Sequence, residues 1–480
     1  MEPQPKMATS IPASILTPGS VETRLGTLKF FDGFPDEETV RKVYDNLDFQ
    51  RGVQAYLAAL AAADMCAMRD GYLSFGPANQ TLLMTESLTD ARTLYFLANT
   101  ETVYSWAWLD TRAGPLVVEL PPDVLGLMSD FWSRWVSDLG RTGPDGGRGG
   151  SYLLLPPDYE GTVPDGCHVL RSRTYGNALF FRGFMKDGDL RPAIESARQH
   201  YRVYPLDRAD DRPATDFVDI SGRYMNAIPP GDASLFESVA TVVHEEPLEA
   251  VDPETRGLLA SIGIRKDAPF APDERMRAIL AEAAAVGNAT ARAVLYSPRD
   301  PELFYYPDGA WKMGYKGDGT DFSPGGVLDL DARTFYFAVT DQISPAMWVK
   351  MVGRASQYGW ADRDAAGRYL DGGRTYKLHL PPDIPVKDFW SLTVYDPQTR
   401  SMLQTGQRFP MLGSQRPGVR ANADTSVDVY FGPEPPAGKE ANWLQTMPGK
   451  GWFLLLRLYG PLEPWFDKTW RPGELEAVAW

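Results

Sequence analysis

Asp90-Ala91-Arg92-Thr93-Leu94-Tyr95-Phe96 returns, with one residue changed, as Asp331-Ala332-Arg333-Thr334-Phe335-Tyr336-Phe337. Downstream of each copy an alternating apolar run ends in Leu-Pro-Pro-Asp, first at Leu120–Asp123 and again at Leu380–Asp383. Phe-Trp-Ser follows both times, at Phe131–Ser133 and Phe389–Ser391. Three matches in the same order predict two related halves, since self-similarity at a fixed order is the mark of an internal repeat. The first motif lies further from the other two in the second copy, which predicts an insertion there.

Each copy is preceded by a helical pattern. Residues 37–69 carry Ala, Leu and Met at three-to-four spacing and read as one amphipathic helix or a pair. Residues 273–293 repeat the pattern after Pro272-Asp273, a helix-start signal. The strands have period-two patterning. In Tyr104-Ser105-Trp106-Ala107-Trp108 three aromatics share one face, and Pro115–Leu120, Tyr376–Leu380, Ser426–Phe431 and Trp452–Tyr459 also read as strands. Pro or Gly closes each, because neither continues a ladder well. The fold class expected is mainly β with accessory helices: two related antiparallel β-sandwich or jelly-roll domains joined by a helical bridge. The expected boundaries are a flexible arm over 1–24, helix plus first sandwich over 25–207, an Ala-rich helical bridge over 208–300, and the second sandwich over 301–480.

With 480 residues the chain exceeds what one hydrophobic core supports, in keeping with two domains. Gly 44 and Pro 40 are spread as turn dipeptides rather than massed in one tract. The net charge of −15, without a long Lys/Arg run, argues against nucleic acid and against an anionic membrane as partners. Cys66 and Cys167 fit no metal-knuckle spacing and read as two buried thiols in a reducing compartment. The first twenty residues lack a signal-peptide core and Val53–Met68 is too short and too polar for a membrane span, so a cytoplasmic location is expected.

The residues also carry a family resemblance. Asn99-Thr100-Glu101-Thr102-Val103-Tyr104-Ser105, followed by the run Gly114 to Pro121, resembles the domain of unknown function numbered 1254. Phe389 to Pro397, Asn422-Ala423-Asp424, Asn442-Trp443-Leu444 and Leu456-Arg457-Leu458-Tyr459 resemble its companion, the domain numbered 1214. The likeness covers most of 85–205 and 370–475. It implies paired β-sandwich domains, often assembled as homo-oligomers, and no general activity. The family pattern has Asp at the position of Glu101.

Common catalytic templates are absent: no Gly-x-Ser-x-Gly elbow, no His-Glu-x-x-His, and no strand-linked dinucleotide fingerprint. No cofactor is expected, and a divalent metal is an unsupported alternative that would need His168, His200, His244 and His379 to converge. Gly143–Gly150 lacks the ending of a phosphate loop and reads as a hairpin or lid. His244-Glu245-Glu246 reads as a solvated helix end, because adjacent helical residues point apart.

The best site candidate is Asn99–Asp110, where Asn99, Thr102 and Tyr104 stand beside Trp106 and Trp108 as polar groups near aromatic walls. Glu101 or Asp110 would be the general base of a hydrolase acting on a small or medium organic substrate. The alternative is a non-catalytic ligand-binding or assembly protein. Asn442, Trp443 and Arg457 are further binding candidates. Arg457, on an apolar strand, either pairs with Asp396 or Asp428 or holds a substrate carboxylate in its fork.

Overall fold

The computed structural model describes residues 7–317 and 319–479. Residues 1–6 of the expected arm lie outside them. Three short strands, β1 (Ser20–Thr23), β2 (Gly26–Phe31) and β3 (Phe34–Pro35), make an antiparallel N-terminal meander, so the end of the segment expected as flexible arm is paired strand. Two helices follow, α1 (Glu37–Ala58) and α2 (Leu60–Leu73). Asp36 caps α1 by accepting from the Thr39 amide.

The first half continues with β4 (Thr81–Met84), β5 (Thr93–Leu94), β6 (Thr102–Asp110), β7 (Leu116–Leu120), β8 (Leu125–Asp130), β9 (Trp135–Gly140), β10 (Gly150–Leu155), β11 (His168–Arg171) and β12 (Gly176–Phe184). Then come α3 (Arg191–His200), β13 (Arg202–Pro205), β14 (Asp216–Asp219), β15 (Met225–Asn226), α4 (Ser234–Glu245), α5 (Pro253–Ser261) and α6 (Glu274–Tyr296). The second half holds β16 (Lys312–Met313), α7 (Leu330–Phe337), β17 (Ser356–Ala361), β18 (Tyr376–Leu380), β19 (Val386–Tyr395), β20 (Met411–Gly413), β21 (Val427–Gly432), β22 (Trp443–Gln445), β23 (Phe453–Pro461), α8 (Glu463–Phe466) and β24 (Glu476–Ala477).

The molecule is mainly β, with its helices gathered against the sheets. In the first half a six-stranded sheet runs β14-β4-β6-β12-β8-β9 and a four-stranded one β11-β10-β7-β13. In the second half a five-stranded sheet runs β16-β17-β23-β19-β20 and a four-stranded one β22-β21-β18-β24. Alternation along β6 and β12 decides what each face meets. Val103, Ala107, Leu109, Leu179 and Phe181 pack with Leu116, Val118 and Leu154 of the smaller sheet. Tyr104, Trp106, Trp108, Ala178 and Phe180 face the other way, into a core shared with α1, α2, α4, α6 and α7. Phe453 and Leu455 of β23 join that same core, while Leu454, Leu456 and Leu458 pack with Leu378 and Val429. Strands buried on both faces lose the polar alternation of a solvent-facing sheet.

Several sequence readings change in the fold. Residues 208–300 are not all helix: β14 adds a parallel edge strand to β4, and β15 pairs with β5. The twin heptapeptides take different shapes. Asp331–Phe337 lies within α7, capped by Asp329, whereas Asp90–Phe96 turns into β5 against β15 while Asp90 binds Arg92. An available strand edge overrides local propensity there. Phe389–Ser391 lies within β19, but Phe131–Ser133 is a turn in which Ser133 has φ +56. The Pro-Pro-Asp copies do match: Asp123 (φ 61) and Asp383 (φ 56) turn the chain just after β7 and β18. Cys167 is only partly buried, and both thiols are free.

Candidate functional site

Where the large sheets of the two halves approach each other, a cavity of about 120 Å3 opens. The first half contributes Tyr95, Phe96, Tyr104, Phe180 and Arg182; the second contributes Tyr336, Asp341, Tyr358, Trp360, Phe453, Leu455 and Arg457. Both heptapeptides therefore contribute to the lining, through Tyr95 and Phe96 and through Phe335 and Tyr336. Tyr104 stands edge-on to Phe180 with ring centroids 5.0 Å apart, and Trp360 is edge-on to Phe453 at 5.5 Å, giving a stiff aromatic wall.

Two arginines enter this wall from matching places. Arg182 on β12 pairs across the ladder with Tyr104 of β6, and Arg457 on β23 pairs with Tyr358 of β17. Both are almost wholly buried, at 6% and 2% exposure. Among the described residues no carboxylate lies within 4.0 Å of either guanidinium. Arg182 reaches Ser356 Oγ at 3.5 Å, its Nε is buried without a partner, and its head lies 5.4 Å above the Tyr459 ring. Arg457 donates to Thr393 Oγ1 at 3.2 Å and to the Leu97 carbonyl, and stands 5.6 Å above the Tyr395 ring. Asp396 binds Lys450, and Asp428 binds Lys377 and His379, so neither is the ion-pair partner expected for Arg457.

The acids nearby are weakened by burial. Burial pushes Asp341 up to about 7, with Tyr95 and backbone hydrogen bonds acting against that, and its Oδ2 has no partner. Burial likewise raises Glu101, while Arg457 and Ser391 pull it back, and neither carboxylate oxygen has a well-formed hydrogen bond. Tyr358 goes the other way. Burial opposes its ionisation, but Arg182 and then Arg457 outweigh it and hold the phenol below the ordinary tyrosine value. The cavity thus holds two fixed cations, one reluctant acid in Asp341 and one acidified phenol, in low dielectric where charge counts most.

Of the residues singled out from sequence, Tyr104 and Arg457 line the cavity. Glu101 is buried and does not line the cavity. Asn99 is a local hub: its Oδ1 accepts from the Glu101 and Thr102 amides and from Thr102 Oγ1, and its Nδ2 donates to Tyr459 Oη at 2.7 Å. Trp106 and Trp108 are core. Asp110 is at the far end of β6, bound to Arg112, so the two carboxylates named as base are not brought together. Asn442 clamps Arg420 and the Asp428 carbonyl, and the Trp443 indole donates to the Gly432 carbonyl, both away from the cavity. Arg182, Asp341 and Tyr358 were missed. Arg182 carried the same signal as Arg457, a lone cation in an apolar strand; Asp341 had none.

Other candidates disperse. His244 contacts the Ala268 carbonyl, Glu245 pairs with Arg69, and Glu246 accepts from the Tyr175 and Gly176 amides. No three His, Cys, Asp or Glu among the described residues are grouped to hold a metal. The Gly143–Gly150 segment folds on Asp145, which accepts from Tyr152 Oη and the Gly149 amide.

Residues 78–205 match the model of the domain of unknown function 1254, and residues 355–463 that of domain 1214, each described as a protein of unknown function. The chain carries both domains, in that order. The VPA0106 protein from Vibrio parahaemolyticus is similar in fold at 18% identity and a TM-score of 0.55, over 90% of this chain and all of its own. A putative uncharacterized protein from Burkholderia cenocepacia aligns at 14% identity and a TM-score of 0.40, over 91% of this chain and 96% of its own. No protein of curated function matches the chain.

Proposed function

We propose that the cavity between the two halves binds a small organic acid, its carboxylate taken by a buried guanidinium and its apolar body by the aromatic wall. The observation that carries this reading is the pair Arg182 and Arg457, buried at the cavity without a carboxylate within 4.0 Å among the described residues. A buried charge without a carboxylate counter-ion is costly, and a bound anion offsets that cost. Thermal melting with butyrate against butyramide tests it: the acid raises the Tm of the full chain and the isosteric amide does not. Equal shifts, or none with any carboxylate tried, would sink the proposal.

Chemistry on the bound acid is a second reading, favoured by Asp341 near 7 and an acidified Tyr358 on the same cavity. In it the acid–base role expected for a hydrolase passes from Glu101 and Asp110 to these two groups. The pH profile of any turnover found, measured in wild type and in Asp341→Asn, would decide that role.

We further read the halves as copies of one jelly-roll-like sandwich bridged by helices. The order β6-β12-β8-β9 recurs as β17-β23-β19-β20, and β11-β10-β7-β13 recurs as β22-β21-β18-β24. The parallel pair β10–β11 also has its counterpart in β21–β22. A homo-oligomer is supported by the meander, which leaves Phe31 82% and Phe34 73% exposed. Light scattering of the full chain and of Phe31→Ser/Phe34→Ser checks it: the variant should lose the assembly. The free thiols fit a cytoplasmic setting.

A further inference from the structure

We infer that the ligand of this cavity carries two separate carboxylates, one for the arginine of each half, and is therefore a short dicarboxylate. The inference rests on the organic-acid reading above and narrows it. A single carboxylate satisfies one guanidinium fork and would leave the second buried cation as exposed to the low dielectric as before. The two heads are anchored independently. Arg182 crosses from the first half to Ser356 and sits over the Tyr459 ring, while Arg457 is tied to Thr393 and the Leu97 carbonyl.

Arg182 sits over the ring of Tyr459, which lies two residues beyond Arg457 on β23, so the two heads reach one cavity from different strands. Two anionic groups on one ligand give each guanidinium a carboxylate of its own. The protein's own acids do not take the role. Glu101 and Asp341 are both beyond 4.0 Å of the guanidinium groups, and burial disfavours the charged form of each. Tyr104 and Tyr358, the ladder partners of the two arginines, line the same space with hydroxyl groups able to donate to carboxylate oxygens.

Titration calorimetry on the full chain tests this with matched pairs: succinate with butyrate, glutarate with pentanoate, adipate with hexanoate. At least one diacid should bind tenfold or more tightly than its monoacid. Arg182→Gln and Arg457→Gln should each bring that ratio close to one while the remaining arginine keeps monoacid binding. Monoacids binding as tightly as diacids would overturn the inference and leave the organic-acid reading standing. Failure of every carboxylate would overturn both. Phosphate or sulfate matching the best diacid would also overturn it, in favour of a compact dianion. Should either variant fail to fold, the wild-type ratio still decides.

Discussion

Arg182 and Arg457 keep a charge where apolar side chains of similar volume would pack more cheaply. Replacing buried ionic groups by hydrophobic ones is often neutral or stabilising by about 1–4 kcal/mol. Arg182→Met is therefore expected to hold or raise the Tm while abolishing the carboxylate-induced shift; a large loss of stability would mark Arg182 as structural instead. Asp341 gives a pH signature. Its folded value, about 7, exceeds the ordinary value of 3.8 because burial disfavours the anion. The folded state then holds a proton that the unfolded state has lost, so stability falls as pH rises from about 4 to 7 and stays low above that. At 1.36 kcal/mol per unit the whole effect is on the order of 4 kcal/mol at most. Denaturant unfolding of Asp341→Asn should show a flatter profile over that window. The same ionisation places a negative charge on the lining of the cavity, so carboxylate affinity should weaken from pH 6 to pH 8 in wild type and much less in Asp341→Asn.

The α1–α6 crossing shows how single small residues set the approach of two elements. A Cβ on Gly52 would come within 2.7 Å of Ala283 Cβ, and one on Gly287 within 2.6 Å of the Tyr56 ring. Gly52→Leu or Gly287→Val must push the helices apart, an overpacking cost of about 1–3 kcal/mol readable as a lower Tm. Helix α6 begins where Asp273 accepts from the Met276 amide at 2.8 Å, and Asp273→Ala should cost about 1 kcal/mol. This start was legible in the sequence as Pro272-Asp273 before an Ala-rich periodic run. So were β7, β18, β21 and β23, because a strand closed by Pro or Gly advertises both its period and its end. The fate of the heptapeptides was not legible. Nearly the same seven residues make a helix after the Asp329 cap and a turn with strand beside β15, since the deciding partner is remote in the chain.

At the scale of the molecule, the larger sheet of each half turns one face into a single core with the helices, and that core contains Trp106 and Phe180 together with Trp360 and Phe453. Neither half can bury this face alone. Fragments 7–300 and 301–479 should each aggregate when expressed singly and associate when co-expressed, as co-purification would show; two soluble, monomeric fragments would contradict the shared core. By itself the sequence determined the β-rich class, the two family domains, the five strands it marked and the helices over 37–69 and 273–293, because period, turn residues and capping act over a few neighbouring positions. It also marked Arg457 as a charge in need of a partner. Only the tertiary structure decided that Arg182 faces the same space, that Asp341 and Tyr358 complete it, and that Glu101 and Asp110 lie apart. Those facts depend on contacts between β12, α7, β17 and β23, whose separation along the chain no local pattern encodes.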